Sequence, residues 1–165
     1  MDPLNLRFLF AALVTPMNNS FDLAFSVVPE ILYHLEATPL TGIYISWSTG
    51  EVICLTDDER KLVAEASLDA ARGRMKTFVQ VGHNSLRASA ELARHAVSIG
   101  ADAVSATPTG YFKFSGEEEL VEALLPLVEA APRTPFYFYH ITFLSGVSLD
   151  PMKLVDRAMD RLPTF

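Results

Sequence analysis

The chain has 165 residues, half of them apolar and one fifth charged. That composition excludes a disordered chain, because enough apolar surface can be buried to offset the entropy of ordering. Thirteen basic residues against twenty acidic ones leave a net charge of −7, so nucleic acid is a poor partner.

The opening residues Met1–Arg7 carry no charged segment followed by a long apolar run, so no signal peptide is expected. No stretch approaches about eighteen consecutive apolar residues, the length a membrane span requires. Cys54 is the single cysteine. It cannot close an internal disulfide, which suits a reducing compartment. The expectation is one soluble, cytoplasmic domain over residues 1–165.

Short apolar runs alternate with helical patterns along the whole chain. The first run, Phe8–Val14, is followed by a weakly marked helix from about Ser26 to Leu35, with Pro29 in its first turn. Ile43–Trp47 is the second run. Thr56 and Glu59 then form a capping box before the stripe Leu62, Val63, Ala66, Ala70, and Gly73 stands where the helix should close. Thr77–Val81 precedes a helix capped by Asn84 or Ser85 and closed by Gly100. Ala103–Thr107 leads to a second capping box, Ser115 with Glu118, in a helix that Pro126 should kink. Pro135–His140 is the last run, and Asp150-Pro151 opens a helix to about Arg161.

The runs lack alternating polar positions, as expected of strands buried on both faces. Five strand–helix units of this length fit right-handed crossovers and a parallel sheet. Two α/β architectures satisfy that pattern. A doubly wound open sheet needs five or six strands. A (β/α)₈ barrel needs eight units and about 250 residues. The pattern alone favours the open sheet.

The most informative stretch is Gly42-Ile-Tyr-Ile-Ser-Trp-Ser-Thr-Gly-Glu51. Its hydroxyls and backbone N–H groups lie at the carboxyl end of a strand, where they can hold a carboxylate or phosphate. An ordinary βα turn accounts for the same residues. Ser46-Trp-Ser48-Thr-Gly50 also resembles a nucleophile elbow, but that motif needs a helix directly after the serine. Val52-Ile-Cys-Leu55 intervenes.

In Phe136-Tyr-Phe-Tyr-His-Ile141, Tyr137 and Tyr139 share one face of a strand, and Phe138 and His140 the other. A tyrosine at such a strand end can pass a proton to a substrate. A core aromatic with a satisfied hydroxyl reads the same way. The four histidines, His34, His83, His95 and His140, show no metal-ligand spacing, and no metal is expected. Of these, His83 follows a strand end and is the candidate to line the mouth of a site. The acid pairs Asp57-Asp58 and Glu117–Glu119 fall in first helical turns, where they complement the helix dipole.

Taken in order, these motifs resemble the pyruvate-dependent class I aldolases of the N-acetylneuraminate lyase and dihydrodipicolinate synthase family. The likeness rests on Ala12-Leu-Val-Thr-Pro-Met17, Ser48-Thr-Gly-Glu51, Val81-Gly-His-Asn-Ser85, Gly100-Ala-Asp-Ala-Val104 and Thr107-Pro108. Tyr139-His-Ile141, Leu144-Ser-Gly-Val147 and Leu162-Pro-Thr-Phe165 look most like the sialic acid lyase branch.

The resemblance implies a (β/α)₈ barrel, here its first five βα units, and a homo-oligomer, usually a tetramer. It implies an aldol reaction in which a lysine on strand six forms a Schiff base with pyruvate, and no separate cofactor. The substrate would be a sialic acid or related 2-keto acid. Ser48 and Thr49 would hold the pyruvate carboxylate, and Tyr139 would relay the proton at the aldehyde oxygen. Tyr111 roughly matches an aromatic placed near a neighbouring subunit's site.

This chain departs from the family at Trp47, where glycine is usual, and at Thr142, where proline is usual. Its lysines are Lys61, Lys76, Lys113 and Lys153, none of them at the strand-six position. An aldolase segment lacking that amine is therefore expected to be inactive alone. Its first and fifth strands should each keep an unpaired edge that favours association. A non-catalytic partner of a full-length subunit and an unrelated open-sheet enzyme using Ser48 are the other readings.

Overall fold

The apolar runs become five strands: β1 (Phe10–Ala12), β2 (Gly42–Ile45), β3 (Lys76–Gln80), β4 (Ala103–Ala106) and β5 (Phe136–Phe138). Between and after them come α1 (Val28–Glu36), α2 (Asp57–Ala71), α3 (Leu86–Ser98), α4 (Glu117–Ala130), the one-turn α5 (Thr142–Ser145) and α6 (Pro151–Arg161). The structure, a computed structural model, describes residues 9–108, 110–111 and 113–165. The expectations for Met1–Arg7 and for the start of the first run at Phe8 lie outside them.

Strand order follows chain order, β1-β2-β3-β4-β5. A doubly wound sheet reverses direction at a switch point, and this order has none. The open sheet favoured by pattern is thus corrected to the barrel type. The chain divides into two compact units, Met1–Val79 and Gln80–Phe165.

In the first unit, parallel pairing sets Ala11 beside Ile43 and Ile43 beside Thr77, and likewise Ala12, Tyr44 and Phe78 in a row. Side chains alternate across a strand, so one face carries Ile43, Ile45 and Val79, all buried. α2 contacts β2, and α1 contacts α2. The other face carries rings. Phe10 and Phe78 lie 4.5 Å apart, and Tyr44 meets the edge of Phe78. Gly42 is obligatory there, since a Cβ would overlap the Phe10 ring and sit 2.8 Å from the Lys76 carbonyl oxygen.

The capping box that opens α2 is complete. Thr56 Oγ1 accepts from the Glu59 N–H at 3.3 Å, and Glu59 Oε2 accepts from the Thr56 N–H at 2.8 Å. The helix closes through Arg72 and Gly73, both at positive φ.

In the second unit, Val104 pairs with Phe136 and Ala106 with Phe138. The Val81 N–H donates to the Ser105 carbonyl at 2.8 Å, which lays the chain after β3 along β4. α4 packs on both α3 and α6. Ser85, of the two candidates, caps α3, and α4 runs unbroken past Pro126.

The second capping box is a correction. Gly116 is the N-cap of α4 without a side-chain cap, and Glu119, not Glu118, takes the Ser115 N–H at 2.6 Å. The open edge expected for β5 is also corrected in part. The Phe136 N–H donates to the Thr164 carbonyl at 2.9 Å, so the chain after α6 returns to the sheet beside β5.

Candidate functional site

β2 ends at Ile45 because the next residue turns out of the strand. Ser46 sits at φ +56°, a left-handed conformation that costs a non-glycine residue free energy. It is 2% exposed, and its buried hydroxyl has no hydrogen-bond partner among the described residues. Both are penalties, and they fall directly before the serine- and threonine-bearing turn.

That turn is fastened at several points. The Glu51 N–H donates to the Ser48 carbonyl at 3.1 Å, and the Val52 N–H to the Trp47 carbonyl at 3.3 Å. Thr15 Oγ1 donates to the Gly50 carbonyl at 2.7 Å. Gly50 lies so close to β1's extension that a Cβ would sit 2.9 Å from the Leu13 carbonyl oxygen.

In the middle, Ser48 and Thr49 are exposed. Among the described residues, nothing pairs with their backbone N–H groups or their hydroxyls. Adjacent unpaired amides flanked by hydroxyls are groups that can hold a carboxylate. The Trp47 indole leaves this turn open. It is 7% exposed and stacked on Tyr44, with ring centroids 5.3 Å apart and planes 8° from parallel.

The second unit holds the tyrosines. Tyr139 lies one residue past β5, its N–H donating to the Ala106 carbonyl at 2.9 Å, and the residue is 40% exposed. The phenol of Tyr137, two residues earlier, is pushed up by burial. Phe138 and His140 are stacked, as the alternation of faces requires. Tyr111 is 78% exposed, on the stretch between β4 and α4. His83 is engaged locally, its Nδ1 accepting from the Ser85 N–H at 2.9 Å. Ser48 and Thr49 therefore belong to one unit, and Tyr111 and Tyr139 to the other.

None of the four lysines is presented as a nucleophile. Lys61 pairs with Asp58 at 3.3 Å, Lys76 opens β3 at its amino end, and Lys153 lies on the exposed side of α6. Lys113 Nζ donates to the Gly110 and Ser145 carbonyls at 2.7 and 2.6 Å, which uses it as a loop fastener. Among the described residues no cluster of histidine, cysteine or acid side chains has the makings of a metal site, and no helix is long and apolar enough to cross a membrane.

Sequence reasoning found the turn but missed what anchors it. Thr15 lay in a quoted motif without a role, and only the hydrogen bond across 35 positions reveals it. Nothing in the local sequence marks Ser46 as left-handed.

Parallel strands in chain order, joined through helices and with a hydroxyl-bearing turn at the carboxyl end of one of them, define a protein of the (β/α)₈-barrel class. The chain belongs to the Dihydrodipicolinate synthetase family, whose pattern it matches over residues 5–160. It is 36% identical over 162 residues to the N-acetylneuraminate lyase of Sus scrofa and 33% identical to that of Mus musculus. Each match covers 97% of this chain and 51% of the relative. Among solved structures it is similar to the Proteus mirabilis N-acetylneuraminate lyase (TM-score 0.92, 36% identity, 95% of this chain and 53% of that one). A Ruminococcus gnavus sialic acid aldolase described as a catalytic lysine mutant is also similar (TM-score 0.87, 28% identity, 96% and 52%). The chain thus spans about half the length of the relatives it matches.

Proposed function

We propose that this chain is a segment of an N-acetylneuraminate lyase-like aldolase, the N-terminal part of a single aldolase domain. The reaction is the reversible cleavage of a sialic acid to pyruvate and an N-acylated amino sugar. The observation that carries the reading is the turn at the end of β2, where Ser48 and Thr49 are exposed and, among the described residues, their amides and hydroxyls are unpaired.

Each part has a separate task. Ser48 and Thr49 hold the carboxylate of pyruvate, the fragment common to the family's substrates. Tyr139 moves the proton at the oxygen of the departing or arriving aldehyde; its partial exposure keeps the phenol accessible. Tyr111 contacts substrate as part of a homo-oligomer. The Schiff-base amine comes from outside these residues, since a nucleophilic lysine needs desolvation or a neighbouring cation to free its lone pair. Lys61, Lys113 and Lys153 have exposed or hydrogen-bonded surroundings that supply neither. Dihydrodipicolinate synthase-like chemistry on another aldehyde uses the same carboxylate turn, and a structure similar at 27% identity carries that name.

Borohydride trapping with labelled pyruvate tests the division of labour. The 165-residue chain alone forms no reducible adduct, although pyruvate shifts the amide resonances of Ser48 and Thr49. A stoichiometric adduct on Lys61, Lys76, Lys113 or Lys153 overturns the assignment of the amine. Unmoved Ser48 and Thr49 resonances at saturating pyruvate overturn the assignment of the turn.

A further inference from the structure

Trp47 stands at an abrupt boundary. It is buried, and the next two residues are exposed. Its ring ends a column that starts at β1: Phe10 against Phe78 at 4.5 Å, Phe78 against the edge of Tyr44 at 6.3 Å, and Tyr44 stacked on Trp47 at 5.3 Å. Its carbonyl receives the Val52 N–H that closes the turn. One residue therefore fixes the turn twice, through its side chain to β2 and through its backbone to the far side.

Among the described residues, the side chains of Ser48 and Thr49 make no such contact, and the Ser48 carbonyl is held by the Glu51 N–H at 3.1 Å. On the other flank, Thr15 anchors the turn through its hydrogen bond to the Gly50 carbonyl. Two amides bind an anion well only when they already converge on it, because otherwise binding must order the backbone first. Ordering supplied in advance by packed rings removes that cost.

We propose that Trp47 is a positioning residue: stacked on Tyr44, it holds the Ser48 and Thr49 amides in the geometry that receives a 2-keto acid carboxylate. This inference rests on the carboxylate reading of the turn. The indole does not touch the carboxylate; it acts through the peptide units that follow it.

The test uses the 165-residue chain with pyruvate as the probe, read from the Ser48 and Thr49 amide resonances and from the emission of Trp47, the only tryptophan. Stacked aromatic pairs of this kind translate into roughly three- to tenfold in an equilibrium constant. Trp47→Ala and Tyr44→Leu are expected to weaken pyruvate binding by about that factor. Trp47→Phe and Tyr44→Phe keep a ring in place and stay within about twofold of the parent. A purely structural role for the stack lowers the melting temperature of the first pair but leaves the affinity of folded molecules unchanged, and that result overturns the proposal.

If Trp47→Ala and Tyr44→Leu do not fold, the unaltered chain decides. Saturating pyruvate shifts both the amides and the tryptophan emission if ring and turn are coupled. Shifted amides with unchanged emission overturn the positioning role alone. Amides that do not shift remove the carboxylate reading itself, and the positioning role falls with it.

Discussion

Replacing Ser46 by glycine should stabilise the protein, an unusual outcome for a fully buried position. Ser46 carries two separate penalties. A non-glycine residue in the left-handed region costs about 1–2 kcal/mol, and Ser46 has φ +56°. A buried hydroxyl without a partner costs about 1–3 kcal/mol, and Ser46 Oγ is such a group. Glycine removes both. It gives back about 0.4–1 kcal/mol through the greater freedom of the unfolded chain. The net expectation for Ser46→Gly is a gain of about 1–4 kcal/mol, or roughly 2–16 °C for a chain of this size.

Ser46→Ala separates the two contributions. It deletes the hydroxyl and keeps the backbone penalty, so its gain should be smaller, about 1–3 kcal/mol. Urea titration followed by Trp47 fluorescence reports on the same unit, and a raised midpoint at unchanged slope is the expected signature. A lowered midpoint for Ser46→Ala would mean that the hydroxyl has a native hydrogen bond. A neutral or destabilising Ser46→Gly would refute the assignment of strain to this position.

Three further outcomes follow from the geometry. Gly50→Ala places a Cβ 2.9 Å from the Leu13 carbonyl oxygen; about 1–3 kcal/mol of destabilisation is expected by urea titration, together with weaker pyruvate-induced shifts at Ser48 and Thr49. Acid should loosen the starts of α2 and α4, because hydrogen bonds to the backbone of Thr56, and of Glu117 itself and Asp150, hold the Glu59 and Glu117 carboxyls below their usual value of 4.5. A depressed carboxyl stabilises the fold fully above its unfolded pKa and ceases to do so as pH falls through the folded one. Thermal melts should therefore decline below about pH 4.5, and Glu59→Gln should flatten that decline. Lys113→Met removes the donor to the Gly110 and Ser145 carbonyls, and hydrogen exchange around Ser145 and Gly146 should accelerate.

The sequence reading succeeded where neighbours along the chain decide the structure. Thr56 and Glu59 satisfy each other across three residues, and Asp150 caps α6 through the N–H groups of Met152 and Lys153. The same logic failed at Ser115, and the reason is competition. Glu117, Glu118 and Glu119 are chemically equivalent candidates for one backbone N–H. The Asp150 N–H engages Glu117 from 33 positions away, and Arg161 engages Glu118 from 43. Glu119 is left for Ser115. A local motif names the types of group that can pair, but tertiary rivals choose among identical ones.

The candidate site shows the same division. The turn after β2 was legible because its exposed, hydroxyl-bearing residues, Ser48 and Thr49, are consecutive and follow directly on an apolar run. Its rigidity was not legible. Thr15 reaches Gly50 from β1's extension, and Trp47 finds Tyr44 only once the strand has turned at Ser46. In the sequence, Trp47 stands out only as a departure from the glycine usual in the family the chain resembles. In the fold the left-handed step at Ser46 precedes an indole packed onto the aromatic face of the sheet, and that placement leaves the amides uncovered. The strain at Ser46 and the stack at Trp47 thus belong to one local solution: a costly backbone conformation retained beside an ordered turn. Ser46→Gly should therefore raise stability and, by freeing the backbone next to Trp47, weaken rather than strengthen the hold on pyruvate.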